Sequence, residues 1–271
     1  MSTYRYQNTE LYYNIYSGNI PILFIHGWRI DHHYLEGCME PVLEKFPEKF
    51  ERIYIDLPGM GQSVEGNVKN TDDILELLLS FIKDKLGSRP FLLMGNSYGG
   101  TICRAITLEL KTQVMGMILL CPGTGCDHAI LPDKKIFRED KEFLNKLSKS
   151  ERECFCLMNV NLTKSAWQQY ERDVYPAILH NQNNYFLNHV LCGSMSKNLV
   201  KDNDQTIFNN PVLIITGKQD SMVGFEEQFR WIKQYPAATY LALEGAGHNL
   251  CIDQPALFSE IIANFLKNFL I

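Results

Sequence analysis

The chain has 271 residues, of which 45% are hydrophobic and 21% are charged, and its formal net charge is −5. This length and composition suit one large globular domain, or a domain that carries an insertion. No cluster of Lys and Arg resembles the basic surface that phosphate-backbone binding needs, so nucleic acid is excluded as an expected partner.

Short apolar runs, most of which end at or near Gly or Pro, are the first elements met along the chain. Continuous runs that are apolar on both faces are typical of strands in a buried parallel sheet. We therefore predict strands over residues 11–16, 21–27, 51–59, 90–95, 115–123, 211–217 and 238–245.

Helix-length segments separate several of these runs. One begins at Thr71, a predicted N-cap, has acidic residues in its first turn and ends at Gly87. Residues 225–236 and 254–270 show the same pattern. The alternation predicts an α/β fold with a mostly parallel central sheet flanked by helices.

The alternation stops over residues 124–206, which we call the inserted block. Helix-like and polar segments follow one another there without a good strand. Open α/β sheets bind ligands beyond the carboxyl ends of their strands, so an insertion that leaves such an end would cover the site. We predict a core of residues 1–123 and 207–271, with the inserted block as a helical cap.

Ser97 lies between two glycines in the motif GNSYGG, directly after a predicted strand and before a helix-like segment. A G-x-S-x-G motif in that position is typical of a nucleophile elbow, a sharp turn that projects the hydroxyl above the sheet. Gly95 and Gly99 stand where a side chain would collide at the tight crossing. The flanking strand and helix favour a nucleophile over a serine in an ordinary turn.

A serine hydroxyl needs a base within hydrogen-bond reach. In this arrangement the partners follow in the chain order Ser, acid, His. Asp220 and His248 each come just after a predicted strand, so both are expected at the sheet edge where Ser97 emerges. We predict that His248 takes and returns the serine proton and that Asp220 orients the imidazole. Asp127, which follows the strand over 115–123, remains an alternative acid.

The chain resembles the α/β-hydrolase superfamily along almost its whole length. The matching motifs, in the usual order and at the usual spacings, are FIHGW, DLPGMGQS, GNSYGG, TGKQD and GAGHN. The resemblance implies a nucleophile at Ser97, an acid at Asp220 and a base at His248. It also implies an oxyanion hole formed by the backbone N–H groups of Trp28 and Tyr98, a type of contact that contributes several kcal/mol in a site with little water.

Other polar motifs predict no metal or cofactor. Adjacent His32 and His33 are expected to point in different directions, so they should make poor zinc ligands together with His26. We instead expect His26 to have a structural role beside the loop that carries the Trp28 N–H group of the oxyanion hole. Residues 59–66 lack the third glycine of a dinucleotide fingerprint. Asp253 is close in sequence to His248 but follows it in the chain, which makes it a weaker alternative acid.

The cysteines and the first residues of the chain indicate a compartment. Eight cysteines are scattered, and the only close pair, Cys154 and Cys156, lacks C-x-x-C spacing. Buried, reduced thiols are expected. The sequence shows neither an export signal at its start nor an apolar run that could span a bilayer. We expect a cytoplasmic protein with no membrane partner.

Serine at the elbow distinguishes this chain from superfamily members that use a carboxylate nucleophile, such as haloalkane dehalogenases and epoxide hydrolases. We predict an esterase or lactonase that acts on a small, largely apolar ester. The motif GNSYGG, with Asn96 before the serine, is similar to that of C–C bond hydrolases of ring-fission products, which are an alternative. Those enzymes usually carry a Gly-rich loop where this chain reads GWRIDHH, and this difference favours the esterase or lactonase. A ligand receptor with little turnover is a further alternative.

Aromatic residues of the inserted block either line the substrate pocket or form a core of their own; they are Trp167, Tyr170, Tyr175 and Phe186. The elbow, the oxyanion amides and His248 lie outside the block. We therefore expect the block to set the substrate range without affecting the chemistry.

Overall fold

The computed structural model describes residues 2–124, 130–192, 199 and 206–270. Ten strands lie in these ranges: β1 (Ser2–Tyr6), β2 (Thr9–Tyr16), β3 (Ile20–Ile25), β4 (Phe50–Ile55), β5 (Phe91–Asn96), β6 (Val114–Leu120), β7 (Arg138–Glu139), β8 (Asn161–Leu162), β9 (Val212–Gly217) and β10 (Ala238–Leu243). Eight of them form the central sheet, in the order β1-β2-β4-β3-β5-β6-β9-β10.

The sheet confirms the mostly parallel arrangement. Strands β1 and β2 pair antiparallel, as do β2 and β4, and the remaining neighbours in the sheet are parallel. Strand β1 was not predicted, because its sequence STYRY is polar and only Tyr4 within it is buried. Every other sheet strand overlaps a predicted apolar run.

The nine α-helices of the described residues are α1 (His32–Leu43), α2 (Thr71–Leu86), α3 (Tyr98–Glu109), α4 (Lys141–Leu144), α5 (Lys149–Met158), α6 (Lys164–Asp173), α7 (Tyr175–Asn181), α8 (Leu250–Asp253) and α9 (Pro255–Leu266). Shorter helical turns are a π-helical turn at Phe186–Leu191 and 3₁₀ turns at Glu227–Lys233 and Lys267–Phe269. Within the described part of the chain, none of the helices has both the length and the apolar composition needed to cross a bilayer.

Two helix predictions need correction. The cap of α2 is Asn70, whose side chain accepts the N–H of Asp73 at 2.9 Å, so Thr71 is the first helical residue. The segment 225–236 contains a 3₁₀ turn at Glu227–Lys233 instead of the predicted α-helix.

The core lies on both faces of the sheet. Alternate residues of β3 point to opposite faces, as the two-residue period of a strand requires. Ile22 and Phe24 pack with α1, α8 and α9, whereas Leu23 and Ile25 pack with α2 and α3. Helices on both faces therefore bury the apolar strands and fix the carboxyl edge on which the candidate site lies.

The described part of the inserted block lies between β6 and β9 and is mostly helical, but it also contains the short strands β7 and β8, which pair in parallel and were not predicted. Rings of Phe155, Trp167, Tyr170 and Tyr175 form an aromatic cluster among its helices, with ring centroids 5.2–6.1 Å apart. The block packs closely on α1, since a Cβ added at Gly37 would overlap the carboxylate of Asp173. Trp167 is thus part of this aromatic cluster, with 4% of its surface exposed.

One pair of cysteines departs from the expectation of reduced thiols. Cys38 of α1 and Cys251 of α8 form a disulfide, with their Cα atoms 6.2 Å apart. That separation is in the usual range for a disulfide. The pair is 213 residues apart in sequence, so no local spacing could have indicated it. Cys154 and Cys156 are free, but they are only partly buried, whereas buried thiols were expected.

Candidate active site

Ser97 occupies a strained turn between β5 and α3. Its φ is 50° and its ψ is −116°, a conformation that residues other than glycine rarely adopt. A Cβ at Gly95 would overlap the Gly99 carbonyl, and one at Gly99 would overlap the Ile25 carbonyl. The N–H of Ser97 donates to the Leu120 carbonyl at 2.9 Å, which fixes the turn to the end of β6.

The loop after β3 lies directly beside Ser97. A Cβ added at Gly27 would stand 2.6 Å from Oδ1 of Asn96 and 3.2 Å from Cβ of Ser97. The rings of Trp28 and Tyr98 meet edge to face, 5.5 Å apart. Within the described residues, the backbone N–H groups of Trp28 and Tyr98 donate to no other group. They are therefore free to bind an oxygen of a ligand.

His26 supports this loop, as the sequence predicted. Its Nε2 accepts the N–H of Leu57 at 2.9 Å, and its Nδ1 lies 2.7 Å from the Gly27 carbonyl. These partners require a neutral ring with the proton on Nδ1. Burial lowers the pKa of His26 and favours the same neutral form.

Asp220 and His248 are brought together at the carboxyl ends of β9 and β10. Oδ2 of Asp220 lies 2.8 Å from Nδ1 of His248. Oδ1 of Asp220 accepts the N–H groups of Met222 at 2.8 Å and Val223 at 3.1 Å. Both side chains are buried, with exposed fractions of 0% for Asp220 and 7% for His248. The histidine is therefore held through Nδ1, and its Nε2 is left for another partner.

The charge state of Asp220 follows from two opposing effects. Burial acts to raise the pKa of Asp220, but the charge of His248, its hydrogen bond and the N–H groups of Met222 and Val223 outweigh burial and lower the pKa below 3.8. The carboxylate is therefore ionised at neutral pH. An ionised acid that faces Nδ1 keeps a proton there and stabilises an imidazolium.

Ser97 and His248 lie at the same edge of the sheet without a bond between their side chains. The Ser97 hydroxyl forms no hydrogen bond to the imidazole, whose partner is Asp220. Hydrogen bonds between catalytic groups are often long or poorly aligned without substrate and tighten when it binds. The described geometry thus joins the predicted acid to the predicted base, while the predicted nucleophile is not hydrogen bonded to that pair.

Cys121 was missed by the sequence interpretation. It follows β6 directly, has a φ of 41°, and its Sγ lies 3.7 Å from the Gly247 carbonyl. The ligand atoms of Cys121, Asp220 and His248 all lie within 4.8 Å of one another. Burial and then the charge of Asp220 raise the pKa of the thiol well above its usual value. The group is a neutral S–H next to the predicted acid. Its position directly after a predicted strand was the sequence feature that could have placed it at this edge of the sheet.

The expectation that His32 and His33 diverge is wrong. Their ring centroids are 4.0 Å apart, and with Asp31 they bring three ligand atoms within 4.8 Å of one another. The reason is that each Nδ1 turns to a different carboxylate, that of Asp56 for His32 at 2.8 Å and that of Asp31 for His33 at 2.9 Å. Both residues lie in the first turn of α1, and these bonds set the directions of the two rings.

The remaining predicted residues lie at different distances from this site. Asp127 lies outside the described residues. Asp253 makes no hydrogen bond to the imidazole of His248 and instead binds backbone N–H groups. Phe186 reaches the loop at Gly59, where an added Cβ would overlap its ring, and it packs in the cluster that holds Tyr98.

Comparison with known proteins places the chain among hydrolases. A family model described as alpha/beta hydrolase fold matches residues 20–255. A pimeloyl-(acyl-carrier protein) methyl ester esterase of Yersinia enterocolitica is 23% identical over 95% of this chain and 98% of its own length. Monoacylglycerol lipase ABHD6 of Mus musculus is 24% identical over 97% of this chain and 82% of its own. The crystal structure of an alpha/beta superfamily hydrolase from Oenococcus oeni PSU-1 is 29% identical, with a TM-score of 0.85 and 98% of both chains covered.

Proposed function

Because the chain belongs to the α/β-hydrolase fold family and is an enzyme of the carboxylesterase-like type, we propose that it cleaves a small carboxylic ester or lactone through an acyl-enzyme on Ser97. The strained backbone of Ser97, at the sheet edge that also holds the Asp220–His248 hydrogen bond, is the observation that carries this proposal. The names of the esterase and lipase relatives support an acyl substrate.

Acylation begins when Oγ of Ser97 attacks the ester carbonyl carbon and its proton passes to Nε2 of His248. The charge that develops on the carbonyl oxygen is stabilised by the free N–H groups of Trp28 and Tyr98. The tetrahedral intermediate then expels the alcohol, which takes the proton from His248. Asp220 keeps Nδ1 protonated throughout and remains ionised.

Deacylation repeats these steps with water. His248 takes a proton from the water molecule, whose oxygen attacks the acyl carbon of the Ser97 ester. The second intermediate collapses, the bond to Oγ breaks, and the proton returns from His248 to Ser97. The products are one carboxylic acid and one alcohol, which remain joined in a single molecule when the substrate is a lactone.

A covalent probe tests the nucleophile. We expect a fluorophosphonate to label the wild type and to fail on Ser97→Ala, while the protein turns over p-nitrophenyl acetate and butyrate. Ser80→Ala, a change on α2 at a serine hydrogen bonded to Tyr4, serves as the matched control and should keep both activities. Labelling that persists in Ser97→Ala would show that another residue is the nucleophile.

The C–C bond hydrolase and the ligand receptor remain the alternatives. Asn96, which suggested the first, is buried and donates to the Leu120 carbonyl at 3.2 Å, so its amide is used inside the fold. Assays with a panel of esters, lactones and ring-fission products distinguish ester or lactone hydrolysis from C–C bond cleavage. If the protein binds one of these compounds in a Ser97-dependent manner but turns over none of them, it is a ligand receptor.

No metal or cofactor takes part in the proposed mechanism. We therefore expect EDTA to leave the turnover of p-nitrophenyl butyrate unchanged. Among the described residues, two groups have a spacing that could hold an ion, namely Asp31, His32 and His33, and the group of Cys121, Asp220 and His248. A loss of activity in EDTA that added zinc restores would contradict the mechanism and direct attention to these groups.

We also propose that the inserted block sets the substrate range. Phe186 supports a role at the pocket because it reaches the Gly59 loop, whereas Trp167 belongs to the aromatic cluster of the block. Phe186→Ala should change the relative kcat/KM across acyl chain lengths, where a methylene is worth about 1–3 kcal/mol. Trp167→Ala should instead lower the free energy of unfolding by about 3–5 kcal/mol. An unchanged chain-length preference in Phe186→Ala would refute this role.

A cytoplasmic location stays a prediction.

A further inference from the structure

The loop that carries His248 lies against the inserted block. We call residues 244–249 the histidine loop and residues 158–161 the tether segment. The backbone N–H of Asn249 donates to the carbonyl of the tether segment's first residue at 3.2 Å. Its side-chain amide donates to Oδ1 of Asn159 at 2.9 Å. The residue that follows His248 is therefore hydrogen bonded to the block.

The carboxylate of Asp253 joins the same two segments. Its Oδ2 accepts the N–H of Gly247, the residue before His248, at 2.8 Å. Its Oδ1 accepts the N–H groups of Val160 at 3.0 Å and Asn161 at 2.9 Å. One buried side chain thus holds the backbone of the histidine loop and the backbone of the tether segment at a fixed separation.

The side chain of Asn161 forms a second bridge. Its amide donates to the Gly245 carbonyl at 2.8 Å and to the Asp253 carbonyl at 2.6 Å. Both bonds start in the inserted block and end in the core. The histidine loop is therefore supported on both sides of His248 by groups from one segment of the block.

The charge of Asp253 makes this arrangement costly to disturb. Only 6% of the residue is exposed, and among the described residues it has no ion pair. Burial raises the pKa of Asp253, and the N–H groups of Asn161, Gly247 and Val160 oppose this rise. A buried carboxylate is tolerated when such donors satisfy it. Moving the histidine loop away from the tether segment would leave the buried carboxylate of Asp253 without some of these donors.

We infer that Asp253 is a positioning residue for His248 and that the tether segment of the inserted block supports the base through it. The inference rests on the proposed function, in which His248 is the base. Both carboxylate oxygens of Asp253 are used by backbone N–H groups, so its role is separate from that of Asp220. The chemistry then depends on the block, contrary to the sequence expectation.

The test compares two variants with one matched control. Asp253→Asn keeps the shape but places an amide donor against one of the N–H groups, and Asn161→Ala removes the side-chain bridge while the carboxylate stays. Asp173→Asn is the control, because Asp173 is a similarly buried aspartate, 5% exposed, that lies in the inserted block and is bonded to Arg172 instead of the histidine loop.

We expect Asp253→Asn and Asn161→Ala to lower kcat for p-nitrophenyl butyrate by about 10- to 100-fold, since small displacements of a catalytic group cost this much. KM should change by less than about threefold, because ester binding is not altered. Fluorophosphonate labelling of Ser97 should slow in parallel. Asp173→Asn should share any loss of melting temperature yet keep kcat within about threefold of the wild type.

A kcat in both variants equal to that of Asp173→Asn would overturn the inference, whatever the melting temperatures. If Asp253→Asn does not fold, Asn161→Ala alone decides the matter. A wild type that shows no Ser97-dependent labelling would refute the proposed function instead. The two failures are therefore distinguishable.

Discussion

The supports of Ser97 and His248 differ in origin. Ser97 is held by backbone crossings in which Gly95 and Gly99 allow β3, β5 and α3 to approach closely. His248 is held by two buried carboxylates. Asp220, 28 residues before it, bonds its imidazole. Asp253 bonds the inserted block at Asn161, 92 residues away in sequence. The proposed nucleophile is thus positioned by local steric fit, and the proposed base by polar side chains from distant segments of the chain.

The largest effect should come from removing the acid on the base side. Asp220→Asn keeps the shape of the side chain but allows an amide N–H to face Nδ1 of His248, which favours the wrong tautomer. Such a change in a Ser-His-Asp triad lowers kcat by about 10⁴-fold. We expect a loss of this order in the turnover of p-nitrophenyl butyrate.

Asp127→Asn is the matched comparison, because Asp127 is the alternative acid. It should retain turnover within about threefold of the wild type. The reverse result, with activity retained in Asp220→Asn and lost in Asp127→Asn, would move the acid role to Asp127. The hydrogen bond between Asp220 and His248 would then be structural.

A smaller effect is expected when the elbow is disturbed by sterics alone. Gly99→Ala adds a Cβ that overlaps the Ile25 carbonyl, so the backbone must shift around Ser97. Overpacking of this kind costs about 1–3 kcal/mol of unfolding free energy. Displacement of the nucleophile should lower the labelling rate by about 100-fold.

Gly123→Ala is the control for the elbow. Its added Cβ would meet Oγ1 of Thr101, which donates to the Gly123 carbonyl, at 3.1 Å, so a small shift of that side chain is enough, whereas at Gly99 the backbone itself is overlapped. We expect near wild-type labelling. Equal labelling rates for the two glycine variants would show that the close crossing at Gly99 does not position Ser97.

The two carboxylates of the base side should respond to pH with opposite signs. The pKa of Asp220 is lowered below 3.8, so its contribution to stability is present above the unfolded value and is lost as pH falls through the folded pKa. The pKa of Asp253 is raised by burial, so its contribution is present below the unfolded value and is lost as pH rises through the folded pKa.

Chemical denaturation from about pH 3 to about pH 7 measures these contributions. Compared with the wild type, Asp220→Asn should lose less stability on acidification, and Asp253→Asn should lose less stability as pH rises. Variants that change the slope in the same direction would contradict the opposite shifts.

The sequence predicted the parts of the molecule that depend on local patterns. Apolar runs gave the strands, and the elbow motif with its flanks predicted a serine that the structure places in a strained turn. Chain order gave Asp220 and His248, which do meet. The carboxyl ends of parallel strands share one edge of the sheet. The position of Asp220 and His248 directly after a strand was therefore enough to predict that they lie close together.

Contacts between distant polar residues were not predictable. Nothing in the sequence near Asp253 shows that its partners are Val160 and Asn161. The Cys38–Cys251 disulfide depends on α1 and α8 being neighbours, which only the packed structure establishes. Each of these contacts belongs to the base side, where support comes from tertiary packing.

The smallest effect is expected from Cys121→Ala, which removes the neutral S–H beside Asp220 without altering the acid. A single buried hydrogen bond contributes about 0.5–1.5 kcal/mol, so kcat should fall by about 2- to 12-fold. Cys103→Ala is a matched control, because Cys103 on α3 is equally buried and its pKa is raised by burial alone. Cys121→Ser should recover part of the activity, since a hydroxyl can still donate to the Gly247 carbonyl in the loop that carries His248. If both alanine variants reduce kcat equally, the thiol acts by packing and its bond to the Gly247 carbonyl does not position His248.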